Sequence, residues 1–81
     1  MKVSARGLNL NFQYEVPTGT SNGILTTFTL SQLPYSSASV IVFLDGLAQP
    51  PTNFSISGTT ITFTLAPTTG SDVLAHYFRS I

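Results

Sequence analysis

The sequence predicts an all-β fold, a small antiparallel β-sandwich or partly open barrel of about six short strands with an N-terminal extension. Three observations lead there. Apolar and polar residues alternate with period two from about residue 26 onward, as in strands with one buried face. No stretch has the i, i+3, i+4, i+7 spacing of an amphipathic helix. Turn-forming pairs, Asp45-Gly46 and Gly58-Thr59, punctuate the apolar runs at short intervals.

Taken in order, the first candidate strand covers about residues 8 to 16, where Leu8, Leu10 and Phe12 alternate with Asn9, Asn11 and Gln13, and Tyr14 and Val16 extend the period. Gly7 and the stretch Pro17 to Gly23 bracket it with flexible chain. This strand either completes the domain or reaches into a neighbouring subunit. Thr26 to Leu30 puts Phe28 and Leu30 on one face, and Pro34 with the serines at 36, 37 and 39 makes a loop. Ser39 to Leu44 is apolar almost throughout, the pattern of a central strand covered on both sides. Asp45-Gly46 is the pair that a type I′ hairpin turn demands, since both central residues need positive φ. The returning strand, Leu47 to Gln49, is cut short by Pro50-Pro51, which cannot donate ladder hydrogen bonds. Asn53 to Ser57 alternates again. After Gly58-Thr59, Thr60 to Leu65 sends Ile61, Phe63 and Leu65 toward the core and three threonines outward. Residues 66 to 71 are loop. The last strand, Asp72 to Phe78, is apolar on both faces, so it is either internal or turned toward a partner.

At 81 residues the chain is a single small unit, divided into an N-terminal strand or arm (1–21) and a compact sandwich (22–81). Chains of this size bury a modest share of their surface and usually need a disulfide, a metal or association. With no cysteine and one histidine, His76, association is the remedy left, and a homo-oligomer is expected. Charged residues are 7% of the chain, against about 25% in ordinary soluble domains, and three bases balance three acids. A neutral surface offers little repulsion between copies. Nucleic acid is not an expected partner, because Lys2 and Arg6 lie far along the chain from Arg79 and form no basic cluster. No apolar run of seven or more follows the N-terminus, so no secretory signal is expected. Val40 to Leu44, the longest apolar run, is far too short to span a membrane.

Over residues 22 to 78 the chain resembles a short β module of tailed-bacteriophage structural proteins, which include capsid-decorating or cement, neck and tail-fibre proteins. The resemblance is carried by Phe28-Thr29-Leu30, Val42-Phe43-Leu44-Asp45-Gly46, Gln49-Pro50, the run from Phe54 through Phe63, Ala66-Pro67, Gly70-Ser71 and Tyr77. It implies a virion setting, with major capsid, neck or tail proteins as partners. Phe54 stands where the family more often has a tyrosine after an acid, and Asn53 precedes it here. Any binding that those polar groups carry in relatives is not expected of this chain.

Chemistry is sparse. A hydrolase needs a nucleophile with a base, or two converging carboxylates, and the spacing places no pair of Glu15, Asp45, Asp72 and His76 together. Asp45 reads as a turn former and Asp72 as a solvated strand end. A metal site needs three or four ligands, which His76 does not have in its sequence neighbourhood. No cofactor and no enzymatic activity are expected. Aromatics are the better tools: strand parity does not force Phe12, Tyr14, Tyr35, Tyr77 or Phe78 inward. The candidate partner-binding residues are Leu8, Leu10, Phe12, Tyr14, Tyr35, His76 and Phe78. Two functions compete. One is a capsid decoration or cement subunit, or a neck or tail accessory, binding neighbouring structural proteins. The other is a receptor- or carbohydrate-binding adhesion module of a tail fibre, holding a surface glycan in loops at one end of the sandwich around Tyr35, Asn53 and Thr68-Thr69.

Overall fold

The computed structural model describes the backbone of residues 2–5 and 8–80, and the side chains of residues 12–79. Eight strands follow one another: β1 (Lys2–Ala5), β2 (Leu8–Glu15), β3 (Thr27–Thr29), β4 (Ile41–Leu44), β5 (Leu47–Ala48), β6 (Phe54–Ser57), β7 (Thr60–Phe63) and β8 (Val73–Ser80). They form two antiparallel sheets, one of five strands in the order β1-β2-β8-β4-β5 and one of three in the order β3-β7-β6. The all-β expectation is met. β1 is an additional strand that the alternation did not indicate.

Turn chemistry dictates the β4–β5 and β6–β7 hairpins. Asp45 and Gly46 have φ of 51° and 83°, as a type I′ turn requires, and Phe43 and Leu44 pair with Ala48 and Leu47 across it. At the second hairpin Gly58 takes φ 59°, with Ser57 opposite Thr60. A glycine at the first central position matches the right-handed twist of the flanking strands.

The core lies between the sheets. Phe28 and Leu30, Ile61 and Phe63 come from the three-stranded side, and Val40, Val42, Val73, Ala75 and Tyr77 from the five-stranded side, all buried. Phe28 and Phe63 meet edge to face, with ring centroids 5.5 Å apart, a favoured aromatic geometry. The expectation that Leu65 joins Ile61 and Phe63 is corrected, for Leu65 is 82% exposed. β7 ends at Phe63 and the chain bends at Thr64 and Leu65, so the alternation is broken before it reaches residue 65.

One further expectation changes at the five-stranded sheet. β8 is its middle strand, paired with β2 on one side and β4 on the other, and β4 is, as expected, an inner strand, between β8 and β5. β4 is covered on one face only: Val42 is fully buried, whereas Ile41 is 49% exposed. β2 pairs along most of its length with β8 of the same chain, from Leu10↔Ser80 to Glu15↔Ala75.

Candidate functional site

Side chains on β8 alternate between two environments. Val73, Ala75 and Tyr77 face the core, and Leu74, His76 and Phe78 therefore stand on the outer face of the five-stranded sheet. Antiparallel register sets their neighbours: Phe12 lies opposite Phe78, Tyr14 opposite His76, and on the other side Ile41 opposite His76 and Phe43 opposite Leu74. Cross-strand neighbours this close pack against one another.

The result is an aromatic cluster centred on His76. Its ring lies 5.4 Å from Phe12, nearly perpendicular at 82°, 5.6 Å from Tyr14 and 4.9 Å from Phe43. Phe12 in turn meets Phe78 at 5.5 Å. Edge-to-face and tilted contacts add to the area these rings bury. The rings of Phe12, Phe43, His76 and Phe78 are half-buried, and Tyr14 stays 66% exposed. The three-stranded sheet is the opposite case. Its outer face carries Thr27, Thr29, Ser55, Ser57, Thr60 and Thr62, a wholly polar surface.

Of the residues singled out from the sequence, Phe12, Tyr14, His76 and Phe78 are thus brought together on one face. The side chains of Leu8 and Leu10 lie outside the described residues. Tyr35, 50% exposed, sits elsewhere: its N–H donates to the Phe78 carbonyl at 2.6 Å, near the end of β8. Tyr77 is corrected from a candidate exposed aromatic to a fully buried one. Ile41 and Phe43 belong to the face and were missed, because a strand apolar on both parities does not reveal which parity faces out.

The loops expected to share one end do not. Asn53 and Thr68 line one cavity of about 320 Å³ with Asp45, Gln49 and Phe63, close to the start of β8. Tyr35 lies at its other end, five residues on, or roughly 17 Å at the rise of an extended strand. Several polar groups in the cavity are already paired. The Asn53 amide donates to Gln49 Oε1, the Thr68 and Ser71 hydroxyls bond each other, and the Thr64 hydroxyl donates to the Thr52 carbonyl.

The acids are also placed differently from the expectation that no pair comes together. Asp45 and Asp72 are neighbours: the Asp72 N–H donates to Asp45 Oδ1 at 2.9 Å, and the Asp45 N–H to the Asp72 carbonyl at 2.9 Å. This braces the β4–β5 turn against the start of β8. The two side chains line different cavities. Glu15, at the end of β2, accepts hydrogen bonds from the Ser31 N–H at 3.2 Å, the Ser31 hydroxyl at 3.0 Å and the Tyr77 hydroxyl. It clasps β2, β8 and the chain after β3 together. Burial, reinforced by the hydrogen bond to the carboxylate and its negative charge, pushes the Tyr77 hydroxyl up to about 12. Among the described residues no three His, Asp or Glu side chains are placed to hold a metal ion.

The chain matches no family model, no curated protein and no solved structure. What it can do is read from its own geometry.

Proposed function

We propose that this chain is a structural subunit of a bacteriophage virion, a capsid decoration or cement protein or a neck or tail accessory, which binds neighbouring structural proteins. One observation carries the binding part of the reading: the aromatic face centred on His76 stays partly exposed on the outer side of the five-stranded sheet of a nearly uncharged domain. Exposed clusters of this kind mark protein contacts, and aromatic residues dominate the energetics of such contacts. The virion setting rests on the resemblance carried by the run from Phe54 through Phe63 and the motifs around it. In this reading the protein is not an enzyme, and its action needs no cofactor.

Mechanistically, the sheet presents a rigid platform. The rings are held by neighbours on three strands before any partner arrives, so little side-chain freedom is lost on docking. Tyr14 and Ile41 flank His76 in one cross-strand row and are half exposed or more, so a charge at either position disturbs the face and not the core. The test is a phage carrying the double substitution Tyr14→Lys, Ile41→Lys in this gene. Purified particles are expected to lose the subunit while the isolated variant keeps the circular dichroism and melting temperature of the parent. Normal incorporation of the folded double variant would overturn the assignment of the face, and absence of the parent chain from purified particles would overturn the virion reading.

A further inference from the structure

A second surface carries an inference of its own, at the free edge of the three-stranded sheet. β6 is an outer strand of that sheet, hydrogen-bonded to β7 alone. In the two-residue hairpin the closing pair Ser57↔Thr60 exchanges both backbone hydrogen bonds, and the pairing alternates from there. Ser55↔Thr62 is then a bonded pair, and so is Asn53 with Thr64, whose 2.8 Å contact confirms the phase. The backbone N–H and C=O groups of Phe54 and Ile56 consequently point away from the sheet, toward the open edge.

The other described edges are blunted. β3 is capped by Thr18, which exchanges hydrogen bonds of 2.8 and 3.0 Å with Thr29. β5 is two residues long, and β1 carries Lys2. Edges are ordinarily protected by charge, proline, bulges or extreme shortness, and Phe54–Ser57 has none of these. Beside it the sandwich is open: an apolar cavity of about 260 Å³ is lined by Ala38, Val40, Pro51, Phe54 and Ile56, with Ser37 at its rim.

We propose that two copies of this chain pair antiparallel through β6 about a two-fold axis at Ser55, joining their three-stranded sheets into one of six strands. Self-pairing must match inward residues with inward and outward with outward, which leaves few registers. With Ser55 opposite Ser55, the outward-pointing backbone of Phe54 bonds that of Ile56 in the other copy, twice over, for four hydrogen bonds. The side chains of Phe54 and Ile56 then face each other across the new seam, a favourable aromatic and β-branched pair, at the mouths of both apolar cavities. Shifting the register to put Ile56 on itself sets Phe54 against Gly58, whose φ of 59° takes it out of the strand, and halves the bonds. Charge permits the pairing too, since all six charged residues of the chain lie outside β6 and no like charges meet.

A standard interface takes about 800 Å² from each partner, near one sixth of the 5087 Å² this chain exposes. A four-residue edge supplies less, so the pairing is concentration-dependent and is best read by covalent trapping. The chain has no cysteine, which makes single-cysteine variants unambiguous. In Ser55→Cys the two sulfurs face each other in a non-bonded antiparallel pair, where Cα atoms are about 4.5 Å apart and a disulfide fits. In Ser57→Cys they are roughly 14 Å apart, beyond disulfide reach. Both positions are exposed. Mild oxidation followed by non-reducing electrophoresis should give a covalent dimer at least about ten times faster for Ser55→Cys, with native circular dichroism. No dimer from folded Ser55→Cys, or equal rates for the two variants, would overturn the proposal. The test leaves the aromatic face on the other sheet untouched, so either assignment can fail alone.

Discussion

Removing the Tyr77 hydroxyl is expected to abolish most of an alkaline instability that the fold builds in. Tyr77 is fully buried and donates to the Glu15 carboxylate, and it holds its proton up to about pH 12, against 10.0 for the free side chain. A folded-state value above the unfolded one means that the folded chain retains a proton which the unfolded chain gives up. The stabilisation is therefore complete below pH 10 and is lost as pH rises toward 12. Two units correspond to about 2.7 kcal/mol in full, and linkage gives about 1.4 kcal/mol of it gone by pH 11. That is a large fraction for a small domain, whose total stability lies near the low end of about 5–15 kcal/mol. The assay is urea unfolding followed by far-ultraviolet circular dichroism at pH 8 and pH 11 for the parent and for Tyr77→Phe. At pH 8 the variant should be less stable by about 1–2 kcal/mol, because Glu15 loses one of its donors. Between pH 8 and pH 11 the parent should lose about 1.4 kcal/mol more than the variant. Tyr14 and Tyr35 are present in both proteins and cancel in the difference. Equal losses for the two proteins would refute the reasoning.

The correction at Leu65 is tested by pairing it with its neighbour in the alternation. Ile61→Ala removes a fully buried side chain and should cost about 2–5 kcal/mol by chemical denaturation, while Leu65→Ala should stay within about 0.5 kcal/mol. At Gly19 a Cβ would sit 2.4 Å from Phe28 Cδ2 and 2.8 Å from Cε2, against a ring that is itself locked in the core. Gly19→Ala should accordingly destabilise by about 1–3 kcal/mol, measured as a lowered urea midpoint with unchanged slope.

Where one parity of a strand is apolar and the other polar, the sequence is enough to orient it. Thr27-Phe28-Thr29 and Thr60-Ile61-Thr62-Phe63 bury the residues their alternation nominates, and Asp45-Gly46 takes the backbone its chemistry demands. β4 and β8 are a different matter, being apolar on both parities. Alternation alone cannot choose between Val73, Ala75 and Tyr77 on one side and Leu74, His76 and Phe78 on the other. The choice is made by the opposing sheet, which offers Phe28 and Phe63 to one face and nothing to the other. Candidate aromatics were recognisable as residues free to point outward, but their assembly about His76 depends on β2 and β4 flanking β8. Those pairings join residues some sixty and thirty positions apart in the chain and leave no local trace. The brace between Asp45 and Asp72 and the clasp at Glu15 escape notice for the same reason.

The position of β8 also governs how the fold is reached. It is the last of the eight strands to be synthesised, yet β2 and β4 are both bonded to it and not to each other. The β6–β7 hairpin, closed by a two-residue turn, can form as soon as it emerges, on the microsecond scale of such hairpins. The five-stranded sheet can start only as two separate pairs, β1 with β2 and β4 with the two residues of β5, which nothing joins until β8 arrives. Pairing across long stretches of chain is intrinsically slow. During that interval the strand that will carry Phe12 and Tyr14 is one edge without its partner, so the nascent chain is most vulnerable to mispairing on the same sheet whose outer face is proposed to bind neighbours once folding is complete.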